Sequence, residues 1–210
     1  MSKANKTMKL KSPTLSISKS EKSIGLDIGF HHIKVVELLK SEKGFRITKF
    51  AIQEIPDAIL QQKNRAGLLG DMIKKMFSDA KIKNSPVYLS VTGHNVIIRN
   101  ATLPKMPVEE LVDAAKWNAK EEILFDLDKA VVDNFVMSET EKEGATFLDL
   151  LSVIVRGDVI DFLVSIAKSA GLNPKGITVV PIALWDYDQA ISTQKPGTVT
   201  SYVDMGAERT

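Results

Sequence analysis

The 210-residue sequence contains no cysteine. Disulfides and thiolate-bound metals are therefore excluded, and the composition fits a reducing compartment. Histidine is scarce, with His31, His32 and His94 the only three. Adjacent residues on a strand point to opposite faces, so His31 and His32 do not converge on one ion; a solvated hairpin pair is expected. No apolar run approaches the roughly 20 residues that a membrane-spanning helix needs. Met1 to Lys22 holds lysines and serines but no apolar stretch, so no secretory signal is expected. Walker A, G-x-S-x-G and Ser/His/Asp arrangements are absent too, which leaves P-loop and hydrolase readings without support.

What is present describes an ordinary α/β protein. Apolar residues make up 44% of the chain, enough to bury one large core or two smaller ones. The net charge of +2 is uneven. Six lysines against Glu21 put +5 in the first 22 residues, which leaves −3 for the rest. A mildly acidic body does not suit a nucleic-acid surface. Residues 1–21 are expected to be a basic, disordered tail, with anionic lipid as its one chemical opportunity.

The pattern along the chain predicts short strands at Ile24–Ile28, Ile33–Leu39 and Phe45–Ile52, joined by tight turns as an antiparallel meander. In the third, Phe45, Ile47, Lys49 and Ala51 are taken as one face of a half-buried strand. Leu69, Met72, Ile73, Met76 and Ala80 recur at helical spacing between Gln61 and Lys81. Strands at Val87–Val91 and Val96–Leu103 follow. Leu103-Pro104-Lys105-Met106-Pro107 then reads as a domain boundary, because two prolines stiffen it. Beyond it the pattern predicts a helix with the stripe Val108, Leu111, Val112, Ala115, Ala119 and Ile123. Strands at Ala130–Ser138 and Thr146–Arg156 come next, separated by a charged hairpin. A helix capped by Asp158 carries Val159, Phe162, Leu163 and Ile166, and Ile177–Val180 is a last short strand. Residues 104–181 are thus expected as one α–β–β–α–β lobe. A helix over Pro181–Ile191 leads to a strand at Thr198–Val203.

Two segments share a chemistry-bearing pattern. Gly25-Leu26-Asp27-Ile28-Gly29 and Val203-Asp204-Met205-Gly206 each put an aspartate at a strand end with a glycine two residues on. Glycine lets backbone N–H groups approach phosphate oxygens closely, and an aspartate there can face a Mg²⁺ on the polyphosphate, usually through water. Lys34, seven residues past Asp27, can reach back as a point charge toward a phosphate. A single Asp-x-Gly also serves as a plain hairpin turn; the second copy and Lys34 tip the balance toward anion binding. The hairpin Glu139–Gly144 is expected as a solvated turn, and His94 as a turn residue.

These residues resemble a known superfamily. Gly25 to Gly29 with Lys34-Val35-Val36-Glu37-Leu38 looks like the first phosphate loop of the actin, Hsp70 and sugar-kinase proteins, and Asp204 to Thr210 like the second. Within it the pattern is most similar to the PilM family of type IV pilus assembly, related to the cell-division protein FtsA. The Leu103–Pro107 segment, the Trp117–Phe125 helix end and Ala170-Gly171-Leu172 carry that closer likeness. The resemblance implies an actin-like (ribonuclease H-like) α/β subdomain 1A over 22–103 and 182–197. It also implies an inserted α+β subdomain 1C (SHS2-like) over 104–181 and the start of a truncated 2A at 198–210. It further implies ATP with Mg²⁺ between 1A and 2A, held by Gly25, Asp27, Ile28, Gly29, Lys34, Asp204 and Gly206, with Asp27 and Asp204 facing the metal. Asp186 and Asp188 resemble in position the water-positioning polar residue of actin-like proteins, which makes Asp186 a weak catalytic candidate, although an exposed helix face explains both. Two departures stand out. Phe30-His31-His32 occupies the place where the family has a small hydroxyl residue, and Leu124 replaces a frequent proline.

The function so implied is a cytoplasmic nucleotide-binding scaffold at the inner face of the inner membrane, at most a weak ATPase. Its partner would be the N-terminal tail of a PilN-like membrane protein lying in a groove between 1A and 1C, with self-association a further possibility. The alternatives are an FtsA-like filament protein and an actin-fold small-molecule kinase, the latter requiring a catalytic base for which no substrate signature is visible.

Overall fold

The computed structural model describes residues 21–42, 44–83, 85–91, 93, 96–120, 125–191 and 197–206. In chain order the elements are β1 (Glu21–Ile28), β2 (His32–Ser41), β3 (Gly44–Glu54), α1 (Asp57–Leu60), α2 (Arg65–Asp79), β4 (Val87–Val91) and β5 (Val96–Pro104). They continue with α3 (Val108–Asn118), β6 (Ala130–Lys142), β7 (Ala145–Arg156), α4 (Gly157–Ser169), β8 (Pro174–Val179) and α5 (Val180–Ile191). The described residues divide into two units, one over 21–93 and 160–206, the other over 96–159.

The first unit is a five-stranded mixed sheet in the order β3-β2-β1-β4-β8. The predicted meander forms its antiparallel half, and β4 and β8 add parallel strands beside β1. Alternation decides which face is covered. Ile24, Leu26, Ile33, Val35, Val87, Leu89 and Val91 are buried, and so are Leu69, Ile73 and Met76 of α2 and Leu163, Ile166 and Ala167 of α4. These strand positions and helical stripes together make this unit's core. The two helices approach closely, because a Cβ on Gly70 would fall 2.6 Å from Cβ of Ser169. Only glycine permits that crossing. The Arg65 guanidinium also lies 5.5 Å over the Phe162 ring.

The second unit is a three-stranded antiparallel sheet in the order β5-β7-β6. The even-numbered positions of β7 meet α3. Leu148 and Leu150 cluster with Leu111, backed by Leu103 and Met106, while Ile154 clusters with Ala119 and Ala130. Ser152, between them, is buried and donates to Asn134 Oδ1 at 2.7 Å, so its hydroxyl is satisfied. The β6–β7 hairpin is tighter than the predicted one. Its two turn residues, Glu143 and Gly144, have φ of 51° and 79°, the handedness that matches strand twist.

The expected lobe boundaries are corrected by strand pairing. Val96–Leu103, expected in 1A, pairs along its length with β7, as far as Pro104 opposite Phe147. The chain therefore crosses between the units before β5, and the Leu103–Pro107 segment is not the boundary. Pro104 is tolerated because β5 is an edge strand. Conversely, β8 was expected in the 104–181 lobe but pairs in parallel with β4, and the α4 stripe is buried beside α2. Which sheet a strand joins depends on long-range pairing that local periodicity does not encode.

Smaller corrections have local causes. Asp158 lies inside α4, which begins at Gly157, and its carboxylate pairs with Arg156. Val108 opens α3 and is exposed, while Ile123 of the expected stripe lies outside the described residues. Thr198–Val203 forms no strand, since no neighbouring strand among the described residues supplies a ladder. In β3, Thr48 is an extra residue where the register shifts between Glu37 and Leu38. The face expected to read Phe45, Ile47, Lys49, Ala51 switches to Phe45, Ile47, Phe50, Ile52, and all four are exposed.

Candidate nucleotide-binding site

The face of the five-stranded sheet opposite α2 and α4 carries the predicted first-loop residues. Registers align Ile52, Lys34, Asp27, Ser90 and Thr178 in one row across all five strands. A neighbouring row runs Phe50, Val36, Gly25, Tyr88 and Gly176. The first row, and the second as far as Tyr88, line a cleft of about 450 Å³ that extends to Ala183 of α5. Gly25, Asp27 and Lys34 therefore meet as expected. Ile28, the last residue of β1, pairs with Ile33 above them.

Asp27 is the polar centre. Its Oδ1 accepts a hydrogen bond from the Ser90 hydroxyl at 2.7 Å, and its Oδ2 lies 3.5 Å from Lys34 Nζ. The side chain remains 33% exposed, so the carboxylate is anchored on one oxygen yet reachable by solvent on the other. Lys34 is more exposed, and a flexible ammonium so placed can swing from Asp27 to an arriving phosphate. Ser90 was missed in the sequence. Its signal was there: strand Val87–Val91 alternates buried Val87, Leu89 and Val91 with Tyr88 and Ser90, which must face the other way.

The turn after β1 differs from the expected phosphate loop in one respect. The Gly29 N–H donates to the His32 carbonyl at 2.9 Å, and a Cβ there would sit 3.0 Å from that oxygen. Glycine thus relieves a tight contact in the turn, and its own N–H is engaged within the loop rather than offered to a ligand. The His31 carbonyl accepts from Ile55 N–H at 2.7 Å, which ties the turn to the end of β3. Phe30 is exposed at its tip.

The second-loop residues do not line this cleft. Asp204 and Gly206 lie on an exposed irregular segment and do not border the cleft. Asp186 and Asp188, on α5, do not border it either. Burial raises the Asp186 carboxyl above its ordinary range, whereas Asp188 accepts from the Tyr202 hydroxyl at 2.6 Å. Among the described residues no cluster of three or more His, Asp or Glu side chains forms a metal cage. The first half of the site nonetheless fits a hydrated Mg²⁺ and a phosphate, since it offers one partly exposed carboxylate oxygen and one mobile ammonium. Asp204 is not among the residues that line the cleft.

No helix among the described residues is long and apolar enough to cross a membrane. The sequence model of the family described as type IV pilus assembly protein PilM matches residues 25–210. A solved structure of the PilM–PilN type IV pilus biogenesis complex superposes with a TM-score of 0.67 at 24% identity, covering 80% of this chain and 50% of that one. This chain thus spans half the length of that relative. The cytoplasmic domain of EpsL, an inner-membrane component of the type II secretion system of Vibrio cholerae, matches at 12% identity with a TM-score of 0.48. That match covers 76% of this chain and 57% of the other.

Proposed function

The chain belongs to the type IV pilus assembly protein PilM family, and from that premise we propose that it is part of a nucleotide-binding scaffold of the pilus inner-membrane platform. The observation that carries the nucleotide reading is Asp27, held by Ser90 and facing Lys34, on the border of an open cleft. In this reading Lys34 would meet a phosphate, Asp27 would hold water of a bound magnesium ion, and Ser90 keeps the Asp27 carboxylate aimed. Bound magnesium would neutralise polyphosphate charge. The protein's own part is to supply fixed, oriented groups, which cost no reorganisation when the ligand arrives.

Catalysis is not expected from this chain alone. Asp204 stands outside the cleft, so one of the two aspartates is missing from the metal's surroundings. Phe30 brings bulk and no hydroxyl where the terminal phosphate would lie. The role is therefore a scaffold, with the tail of a PilN-like inner-membrane protein as partner and the cytoplasmic face of that membrane as location. The match to a PilM–PilN complex supports this partner.

The test pairs two titrations. Mg·ATP and a synthetic N-terminal tail of a PilN-like protein are each titrated onto this chain and onto the protein extended to the full length of its relatives. Weak nucleotide binding by the chain, tighter binding by the longer protein, and little phosphate release from either are the expected results. Absence of nucleotide binding by the longer protein overturns the nucleotide reading. Failure of both proteins to bind the tail overturns the partner.

A further inference from the structure

We infer that β3 is the contact through which two copies of this chain associate, as a two-fold antiparallel extension of the five-stranded sheet. β3 is an edge strand whose only neighbour among the described residues is β2, and at eleven residues it is long for an edge. Natural sheets blunt such edges with charge, proline, brevity or bulges; β3 carries Arg46, Lys49 and the bulge at Thr48, and the bulge gathers apolar side chains on one face. Here the uncovered face of the edge carries four large apolar side chains: Phe45, Ile47, Phe50 and Ile52, exposed to 52%, 60%, 71% and 63%. The bulge at Thr48 puts them there, since without it Phe50 and Ile52 would point to the opposite face.

The occupant follows from the spacing. Positions 45, 47, 50 and 52 are symmetric about the midpoint between Thr48 and Lys49. A second β3 laid antiparallel about a two-fold axis through that midpoint sets Phe45 against Ile52 of the other copy and Ile47 against Phe50. Every apolar side chain then meets an apolar one. The axis is perpendicular to the sheet, so the uncovered faces of both copies lie on the same side. The two bulges meet at the centre, where Thr48 opposes Lys49. Lys49 does not oppose pairing, because its ammonium reaches the Lys81 carbonyl within its own copy. Apolar cross-strand pairs and a shared ladder stabilise each other, and the same patch serves on both copies, as closed two-fold symmetry requires. A foreign strand or helix could cover the face, but only a second copy is matched residue for residue.

The experiment measures the mass of this chain by sedimentation equilibrium up to about 100 µM, alongside the exposed-site variants Phe50→Lys and Ile52→Lys. A dimer whose dissociation constant rises about tenfold or more in either variant, with unchanged circular dichroism, is expected. Register is read by oxidation, to which the cysteine-free sequence lends itself. Ile47→Cys mixed with Phe50→Cys forms the heterodimeric disulfide, whereas Ile47→Cys mixed with Phe45→Cys does not, because its sulfurs lie several residues apart. A chain monomeric at the highest concentration overturns the inference. So does a dimer indifferent to Phe50→Lys, or one cross-linked equally by both mixtures. A monomer that instead loses a PilN-like tail on Phe50→Lys reassigns the face to that partner.

Discussion

Glu37 offers a quantitative test of how the edge of the first sheet is held. Its side chain is fully buried, which is unusual for a carboxylate. One oxygen accepts from the Thr48 hydroxyl at 2.6 Å and from Lys22 Nζ at 3.0 Å. Thr48 is the bulge residue, so this bond holds the extra residue of β3 in place. The other oxygen, Oε2, is buried without a hydrogen-bond partner among the described residues. Hydrogen bonds to a charged group contribute about 1.5–3 kcal/mol each, while an unsatisfied buried oxygen costs about 1–3 kcal/mol. Lys22 is 45% exposed, and solvent screens its share. The balance predicts that Glu37→Ala destabilises by about 2–3 kcal/mol and Glu37→Gln by about 1 kcal/mol, since the amide keeps the shape and one acceptor. The Thr48 hydroxyl, with Lys22, holds the Glu37 carboxyl below its ordinary value of 4.5 against the opposing effect of burial. The folded value therefore lies under the unfolded one. Its contribution is complete above about pH 4.5 and fades as the pH falls through the folded value. Urea unfolding of wild type and Glu37→Gln at pH 7 and near pH 3 measures this. The stability gap is expected to narrow in acid. A gap that stays constant, or a variant as stable as wild type at pH 7, refutes the electrostatic account of the bulge.

Three further outcomes are expected. In the longer protein, Lys34→Ala weakens Mg·ATP binding by about tenfold, and Ser90→Ala weakens it less, since Ser90 acts only through Asp27; equilibrium titration reads both. Gly70→Val lowers the unfolding free energy measured in urea by about 2 kcal/mol or more, because its side chain must displace Ser169 and the backbone of Ala170. The Asp188 carboxylate, as hydrogen-bond acceptor and as negative charge, raises the Tyr202 phenol above its ordinary range. Asp188→Asn therefore brings its phenolate absorbance in at lower pH, and an unmoved titration refutes the contact.

Local signals carried much of this protein. Alternation and turn residues placed the β1–β3 meander, helical spacing placed the buried stripe of α2, and the Asp-x-Gly pattern with Lys34 marked groups that do converge on one cleft. Each is written within a few residues, where backbone preference and side-chain period act directly. Long-range choices were decided by the tertiary structure. Pro104 looked like a stop but sits in an edge strand, because only pairing with Phe147 shows that its missing N–H faces no neighbour. β8 joined the first sheet rather than its nearer companions in sequence, since a parallel ladder beside β4 formed there. Ser90 became part of the site through a parallel register that aligns it with Asp27, 63 residues earlier. Thr48 turned half of β3 over through one inserted residue, and a period of two carries no mark of where it slips. Residue spacing thus determined which groups had the right chemistry, and hydrogen-bond register between distant strands determined which of them meet.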